Sequence, residues 1–155
     1  MMKNYLLAFS FLALLAGCNK DKFQTAPQLT LLEAGNLEVP YGGALRLRLE
    51  FTDKEGDVDD TLFIRRVRIN QRSTPTVRDS LKIKVPDFPD RNKGEIVLDL
   101  TYQNYLISSA APLNVPNTNP PVKESDSLIY KFVLKDKAGN KSDTLVVNGI
   151  VVQRR

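Results

Sequence analysis

Apolar and polar residues alternate one by one in the segment ALRLRLEFT, residues 44–52. Every second residue is leucine or phenylalanine, and charged residues occupy most of the positions between them. A period of two places alternate side chains on opposite faces of a strand, so this run predicts a β-strand with one buried face. Similar runs recur along the chain, and none has the 3.6-residue period of an amphipathic helix over a useful length. We therefore expect the chain to fold from strands.

Seven such runs follow one another, and turn-forming residues separate them. We label them strands A to G in chain order, at residues 29–33, 44–52, 62–70, 81–85, 96–102, 128–135 and 144–152. Seven short strands within about 125 residues predict one all-β domain, a single antiparallel β-sandwich of about seven strands. This domain is expected to span residues 28–155.

The segment DSLIYKFVLKDKAGNKSDT, residues 126–144, resembles the F–G hairpin of bacterial immunoglobulin-like and cadherin-like domains. The resemblance implies an immunoglobulin-like sandwich in which strand E lies between strands B and D, and it places Tyr130 at a tyrosine corner. Opposite charges agree with this order, although ordinary mixed surface charge explains them nearly as well. The residues concerned are Glu95 and Asp99 on E, Arg46 and Arg48 on B, and Lys82 and Lys84 on D.

Two irregularities interrupt the pattern. The alternation of strand C changes phase at Arg65-Arg66, which predicts a β-bulge. The link between strands E and F, residues 103–125, contains four prolines and exceeds the usual length of about 12–15 residues for a link without its own structure. It is either a functional segment or a proline-stiffened surface loop. The apolar residues Ile129, Val133 and Val97 fall on outer faces, where a partner or this link could cover them.

The first eighteen residues have the features of an export signal. Lys3 precedes an uncharged apolar run, residues 5–16, of about 12 residues, which is shorter than the roughly 20 needed to cross a bilayer. The junction Leu15-Ala16-Gly17-Cys18 resembles the lipobox of bacterial lipoproteins. The resemblance implies cleavage after Gly17, acylation of Cys18 and membrane attachment through the lipid; the alternative is a signal peptide followed by a buried cysteine. Residues 1–17 would be the signal peptide and residues 18–27 the lipidated cysteine with a flexible tether.

The residue types present exclude several kinds of chemistry. The chain has no histidine and one cysteine, so histidine-dependent nucleophilic triads and the usual zinc sites are excluded. No glycine-rich phosphate loop occurs, and although the formal net charge is +4, basic residues do not cluster as in nucleic-acid-binding proteins. We therefore expect neither an enzyme nor a nucleic-acid-binding protein.

An acidic constellation is the candidate site. The segment DKEGDVDD, residues 53–60, forms the B–C loop, and Asp136 begins the F–G turn at the same end of an immunoglobulin-like sandwich. Hard oxygen ligands at alternating positions, with a glycine that permits a tight turn, suit Ca²⁺. The alternative is a solvated acidic turn stabilised by side-chain hydrogen bonds. The expected calcium ligands are Asp53, Glu55, Asp57, Asp59 and Asp136.

These features predict a lipid-anchored outer-membrane lipoprotein, because Asn19 rather than aspartate follows Cys18. Its expected role is that of a non-catalytic accessory or adhesion-type domain that binds another envelope component. The alternative is a module that binds a glycan or small ligand through Tyr102, Tyr105 and the E–F link.

Overall fold

The computed structural model describes residues 25–58, 60–72, 78–87, 89–107 and 111–155. The predicted lipobox residues Leu15, Ala16, Gly17 and Cys18, and the predicted ligand Asp59, lie outside the described residues. In the described part, no helix is long and apolar enough to cross a membrane.

Two antiparallel sheets pack face to face, which confirms the predicted all-β sandwich. The eight strands are β1 (Gln28–Ala34), β2 (Glu38–Val39), β3 (Ala44–Thr52), β4 (Thr61–Arg68), β5 (Arg78–Lys84), β6 (Lys93–Thr101), β7 (Asp126–Lys135) and β8 (Leu145–Val152). One sheet has the order β1-β3-β6 and the other the order β2-β8-β7-β4-β5. Among the described strands, β2 pairs with β8 in parallel and the other pairs are antiparallel. Strands A to G correspond to β1 and β3 to β8, and the two-residue β2 was not predicted.

The predicted position of strand E is wrong in one respect. Strand E, β6, pairs with β3 but not with strand D, because D is β5 and pairs with β4 in the other sheet. Strands consecutive in sequence usually lie side by side, and here that tendency places β5 beside β4. Half of the predicted charge pattern therefore forms. Arg46 Nε lies 3.6 Å from Asp99 Oδ1, and Arg48 Nη2 lies 2.9 Å from Glu95 Oε2. Lys82 and Lys84 lie on the other sheet.

The predicted bulge at Arg65-Arg66 is also wrong. Strand β4 keeps an unbroken register with β7, and the bulges fall instead at Leu31/Glu33 and at Leu128/Tyr130. The phase change has another cause: Arg66 and Arg68 point inward among the core residues and are 4% and 3% exposed. A buried arginine is tolerated when its donors find acceptors, and both side chains do.

Arg66 and Tyr130 fasten the E–F link to the core. The link begins with a single π-helical turn, Tyr102–Leu106. The carbonyl oxygen of Tyr105 accepts hydrogen bonds from both the Arg66 guanidinium and the Tyr130 hydroxyl. Arg66 also donates to Ile107 O at 2.8 Å. Tyr130, the residue predicted at a tyrosine corner, therefore holds the E–F link through its hydrogen bond to Tyr105.

Arg68 enters a buried cluster of three charges at the far end of the core. Its Nη2 lies 2.9 Å from Asp126 Oδ1, and Arg154 makes an ion pair with the other carboxylate oxygen. The Asp126 side chain is 1% exposed. Because burial removes hydration from all three groups, the carboxylate of Asp126 compensates charge on both arginines.

The cluster leads to a prediction for Asp126→Asn. The variant keeps the shape of the side chain but removes the carboxylate charge beside the buried Arg68 and Arg154, so the free energy of unfolding should fall by about 3–5 kcal/mol. The control is Asp99→Asn, which breaks an exposed ion pair and should cost less than about 1 kcal/mol. Urea denaturation of both variants measures the difference. Equal losses would show that the buried charges are not coupled.

Candidate metal centre

The topology brings two loops together at one end of the sandwich. Asp53 follows β3 directly, and the loop that it begins leads into β4. Strand β7 runs antiparallel to β4, with Lys135 opposite Thr61, so the residue that follows β7 reaches the same end. That residue is Asp136. The amide of Lys137 donates to Asp57 O at 3.0 Å and joins the two loops.

Asp53 organises the first of these loops. Its Oδ2 accepts the amide hydrogen of Gly56 at 2.7 Å and that of Asp57 at 3.4 Å, which closes a tight turn. Its backbone is held as well, because the Asp53 amide donates to Asn92 O at 2.9 Å and Asn92 Nδ2 donates to Asp53 O at 3.0 Å. A third loop, between β5 and β6, thus supports the site.

Asp136 organises the F–G turn in a similar way. Its Oδ1 accepts the amide hydrogen of Asn140 at 2.7 Å, and its Oδ2 accepts the Asn140 side-chain amide at 2.9 Å. The Asp136 amide donates back to Asn140 O at 3.1 Å. These bonds fix the carboxylate of Asp136 in a position from which it faces Asp53 and Asp57.

The three carboxylates converge on one point. Asp53, Asp57 and Asp136 each place one carboxylate oxygen within 4.8 Å of the other two. Asp53 and Asp136 are 0% exposed. Asp53 Oδ1 and Asp57 Oδ1 are buried and have no hydrogen-bond partner in the described part of the chain. A turn of the ordinary solvated kind would expose these oxygens to water.

The electrostatics of the cluster are unfavourable without a cation. Burial raises the pKa of Asp53, and the charges of Asp57 and Glu55 raise it further, while the amide hydrogen bonds from Gly56 and Asp57 lower it. Like charges held together in a poorly solvated place repel one another. A hard cation would relieve this repulsion and use the two free oxygens.

Three of the five predicted ligands therefore lie together. Glu55 is exposed and lies outside the cluster, because the Asp53 turn directs it to solvent. Asp59 is outside the described residues. The sequence reasoning missed the supporting residue Asn92. It did identify the glycine of the acidic loop, Gly56, as the residue that permits a tight turn, and the Gly56 amide closes that turn.

The two predicted ligand-binding tyrosines have packing roles. Tyr102 is 3% exposed, and its hydroxyl donates to Gln153 O at 2.9 Å. Tyr105 packs partly against the core, and its carbonyl oxygen is the acceptor for Arg66 and Tyr130. The Tyr102 side chain is thus buried, and that of Tyr105 is half-buried.

The acidic cluster lies at the end of the domain where the first described strand begins. Gln28 at the start of β1 pairs with Thr52, the residue just before Asp53. The predicted tether therefore leaves the domain beside the acidic cluster.

Comparison of the chain with models of protein families, with curated proteins and with solved structures finds no match.

Gly56 provides a test of the loop geometry. Its φ is +78°, and an added Cβ would lie 2.9 Å from the backbone nitrogen of Arg91. Gly42 has a similar φ of +76° but open space around it. Gly56→Ala should therefore destabilise more than Gly42→Ala, whose cost is only the strained backbone of about 1 kcal/mol. Chemical denaturation of both variants measures this. Equal losses of unfolding free energy would mean that the loop between β5 and β6 does not restrict the space around Gly56.

Proposed function

We propose that this chain is a non-catalytic, lipid-anchored domain of a bacterial cell envelope that binds another envelope component, and that one Ca²⁺ holds its loop end. The observation that carries the calcium part is that Asp53, Asp57 and Asp136 converge and that two buried oxygens, Asp53 Oδ1 and Asp57 Oδ1, have no hydrogen-bond partner among the described residues. Buried charges in proteins are paired or bind a metal. The three carboxylates approach one another within 4.8 Å, so a bound metal ion would compensate their charge and use these two oxygens.

The donor set favours Ca²⁺ over other common metal ions. Ca²⁺ accepts six to eight oxygen ligands in flexible geometry, so three loop carboxylates can be completed by carbonyl oxygens and water. Mg²⁺ demands a nearly ideal octahedron and gives up its water reluctantly. Zn²⁺ prefers nitrogen and sulfur ligands, and none of the three residues offers either. Extracellular calcium modules bind with a Kd of about 10⁻⁴–10⁻³ M, and we expect this range here.

The non-catalytic part of the proposal follows from the same residues. Asp136 uses both carboxylate oxygens to hold its own turn, and Asp53 uses one oxygen for its loop. Carboxylates held in this way position loops and are poorly placed to transfer protons to a substrate. Stiff loops at the end of a sandwich are, in contrast, a common surface for partner binding.

The position of the site is consistent with an anchored domain. Within the described part of the chain, every strand and every buried apolar core residue lies within residues 28–152, and the proposal assigns the residues before them to export, lipid attachment and a tether. A tether of residues 18–27 would reach up to about 30 Å when fully extended. The acidic end, where β1 begins, would then face the membrane. The proposed location is the outer membrane, as the residue after Cys18 predicts.

The calcium proposal predicts a thermal shift. Residues 23–155, which contain the whole sandwich, should melt at a higher temperature in CaCl₂ than in EDTA at matched ionic strength. Calcium at tenfold above its Kd adds about 1.4 kcal/mol, which corresponds to roughly 3–6 °C in Tm for a domain of this size. Because Asp57→Asn and Asp136→Asn each remove a ligand charge, both should abolish the gain.

The same variants supply a control in EDTA. Asp57→Asn relieves repulsion in the metal-free cluster, so it should be no less stable than wild type there. Asp99→Asn, on the surface of β6, should keep the full calcium gain. Coincident melts of the wild type in CaCl₂ and EDTA would show that the three aspartates are turn residues and do not bind calcium.

The anchoring proposal has an independent test at Cys18. Cys18→Ser removes the only thiol of the chain and with it the site of acylation. The wild-type protein should incorporate a fatty-acid analogue and sediment with membranes, whereas the variant should remain unlabelled and be released. Equal labelling of the two proteins would contradict lipid attachment at this residue.

A further inference from the structure

The outer face of the five-stranded sheet carries a groove that the metal centre does not involve. It has a volume of about 500 Å³ and lies across β4, β5, β7 and β8. We call it the basic groove and define it by Phe63, Arg65, Lys82, Lys131, Val133 and Val146. No acidic residue lines it among the described residues.

The floor of the basic groove is apolar. Phe63 and Val133 are half-buried neighbours on paired strands, and Val146 is 42% exposed. Two lysines lie against the Phe63 ring: Lys82 Nζ is 5.6 Å and Lys141 Nζ 5.8 Å from its centroid. These contacts hold the cations beside the apolar floor and leave their outer sides open to solvent.

The rim of the groove carries cations without counter-ions. Arg65, Lys82, Lys131 and Lys141 are all exposed, and none makes an ion pair with a described residue. The outer face of the three-stranded sheet differs, because Arg46 and Arg48 are neutralised there by Asp99, Glu33 and Glu95. The uncompensated positive charge is therefore concentrated on one face of the sandwich.

We propose that the basic groove docks on a membrane surface that contains anionic phospholipid. Phosphate headgroups complement the four cations of the rim, and the half-exposed apolar floor suits the boundary between headgroups and acyl chains. An acidic polypeptide would satisfy the cations but would leave this floor without an apolar partner.

The chain geometry places the groove within reach of a bilayer. Lys141 belongs to the F–G turn, at the end of the domain where β1 begins. Residues 18–27, the proposed tether, attach at that end. This orientation rests on the proposed lipid anchor. The affinity of the groove for lipid does not, so it is measured without the anchor.

The experiment is vesicle co-sedimentation of residues 23–155, which contain all the strands and the buried core found in the described part of the chain. EDTA is present throughout, so that calcium cannot bridge the acidic cluster to headgroups. The domain should sediment with vesicles of phosphatidylcholine mixed with phosphatidylglycerol and remain in solution with phosphatidylcholine alone. High NaCl should release it, because salt screens exposed charges.

Charge reversals locate the binding face. Each cation near an anionic surface contributes about fivefold to binding, so Lys82→Glu with Lys131→Glu should weaken it by at least about 25-fold. The matched control reverses two charges away from the groove, Lys123→Glu with Arg155→Glu, and changes the net charge equally. It should stay within a few-fold of wild type. Circular dichroism and thermal melts check that both double variants are folded.

Three results would overturn the inference. Equal sedimentation with neutral and anionic vesicles would exclude recognition of the lipid charge. Equal weakening by the two double variants would reduce the effect to net charge alone. Binding of polyglutamate as tight as binding of anionic vesicles, with the same sensitivity to Lys82 and Lys131, would identify an acidic polypeptide as the occupant. None of these results bears on Cys18 or on the calcium melts, so failure here is distinct from failure of the proposed function.

Discussion

The burial of the Asp53 carboxylate at the end of β3 is the constraint around which one end of the sandwich is built. One carboxylate oxygen closes the β3–β4 loop through the Gly56 amide, and the Asp53 backbone holds Asn92 from the loop between β5 and β6. The other oxygen faces Asp57 and Asp136 without a hydrogen-bond partner. Three loops thus depend on the Asp53 carboxylate, whose charge is destabilised by burial. A bound cation would offset this cost and hold the loops together.

Other buried charged groups in the domain provide a comparison with the acidic cluster. At the opposite end of the core, Asp126 is equally inaccessible, but Arg68 and Arg154 neutralise it. Arg66 points inward beside Arg68 and satisfies its donors with carbonyl groups of the E–F link. Each of these buried groups has its partner within the described chain. In the acidic cluster, two buried oxygens, Asp53 Oδ1 and Asp57 Oδ1, have no hydrogen-bond partner among the described residues, which is the physical reason for assigning it a ligand.

The alternation of apolar residues was sufficient to predict the strands and the sandwich, because a period of two fixes which face of each strand is buried. It could not assign β5 to its sheet, since alternation is a local property and pairing is not, and it could not reveal β2, which is too short to show a period. Arg66 and Arg68 of β4 caused the wrong prediction of a bulge. An arginine that points inward to buried acceptors changes the phase of the apolar alternation in the sequence, as a bulge does. At the acidic site, the convergence of Asp53, Asp57 and Asp136 could be predicted because their loops lie at the same end of the sandwich. The outward direction of Glu55 could not be predicted, because it depends on the hydrogen bonds of the Asp53 turn.

The most direct test of the calcium centre is a crystal structure of residues 23–155 grown in calcium chloride, with anomalous diffraction data. Our account predicts an anomalous peak in contact with one oxygen each from Asp53, Asp57 and Asp136, at the distances of about 2.3–2.6 Å that calcium makes with oxygen ligands. Water or a lysine ammonium at that position in the presence of calcium, with Asp53 Oδ1 and Asp57 Oδ1 hydrogen-bonded to it, would contradict the account.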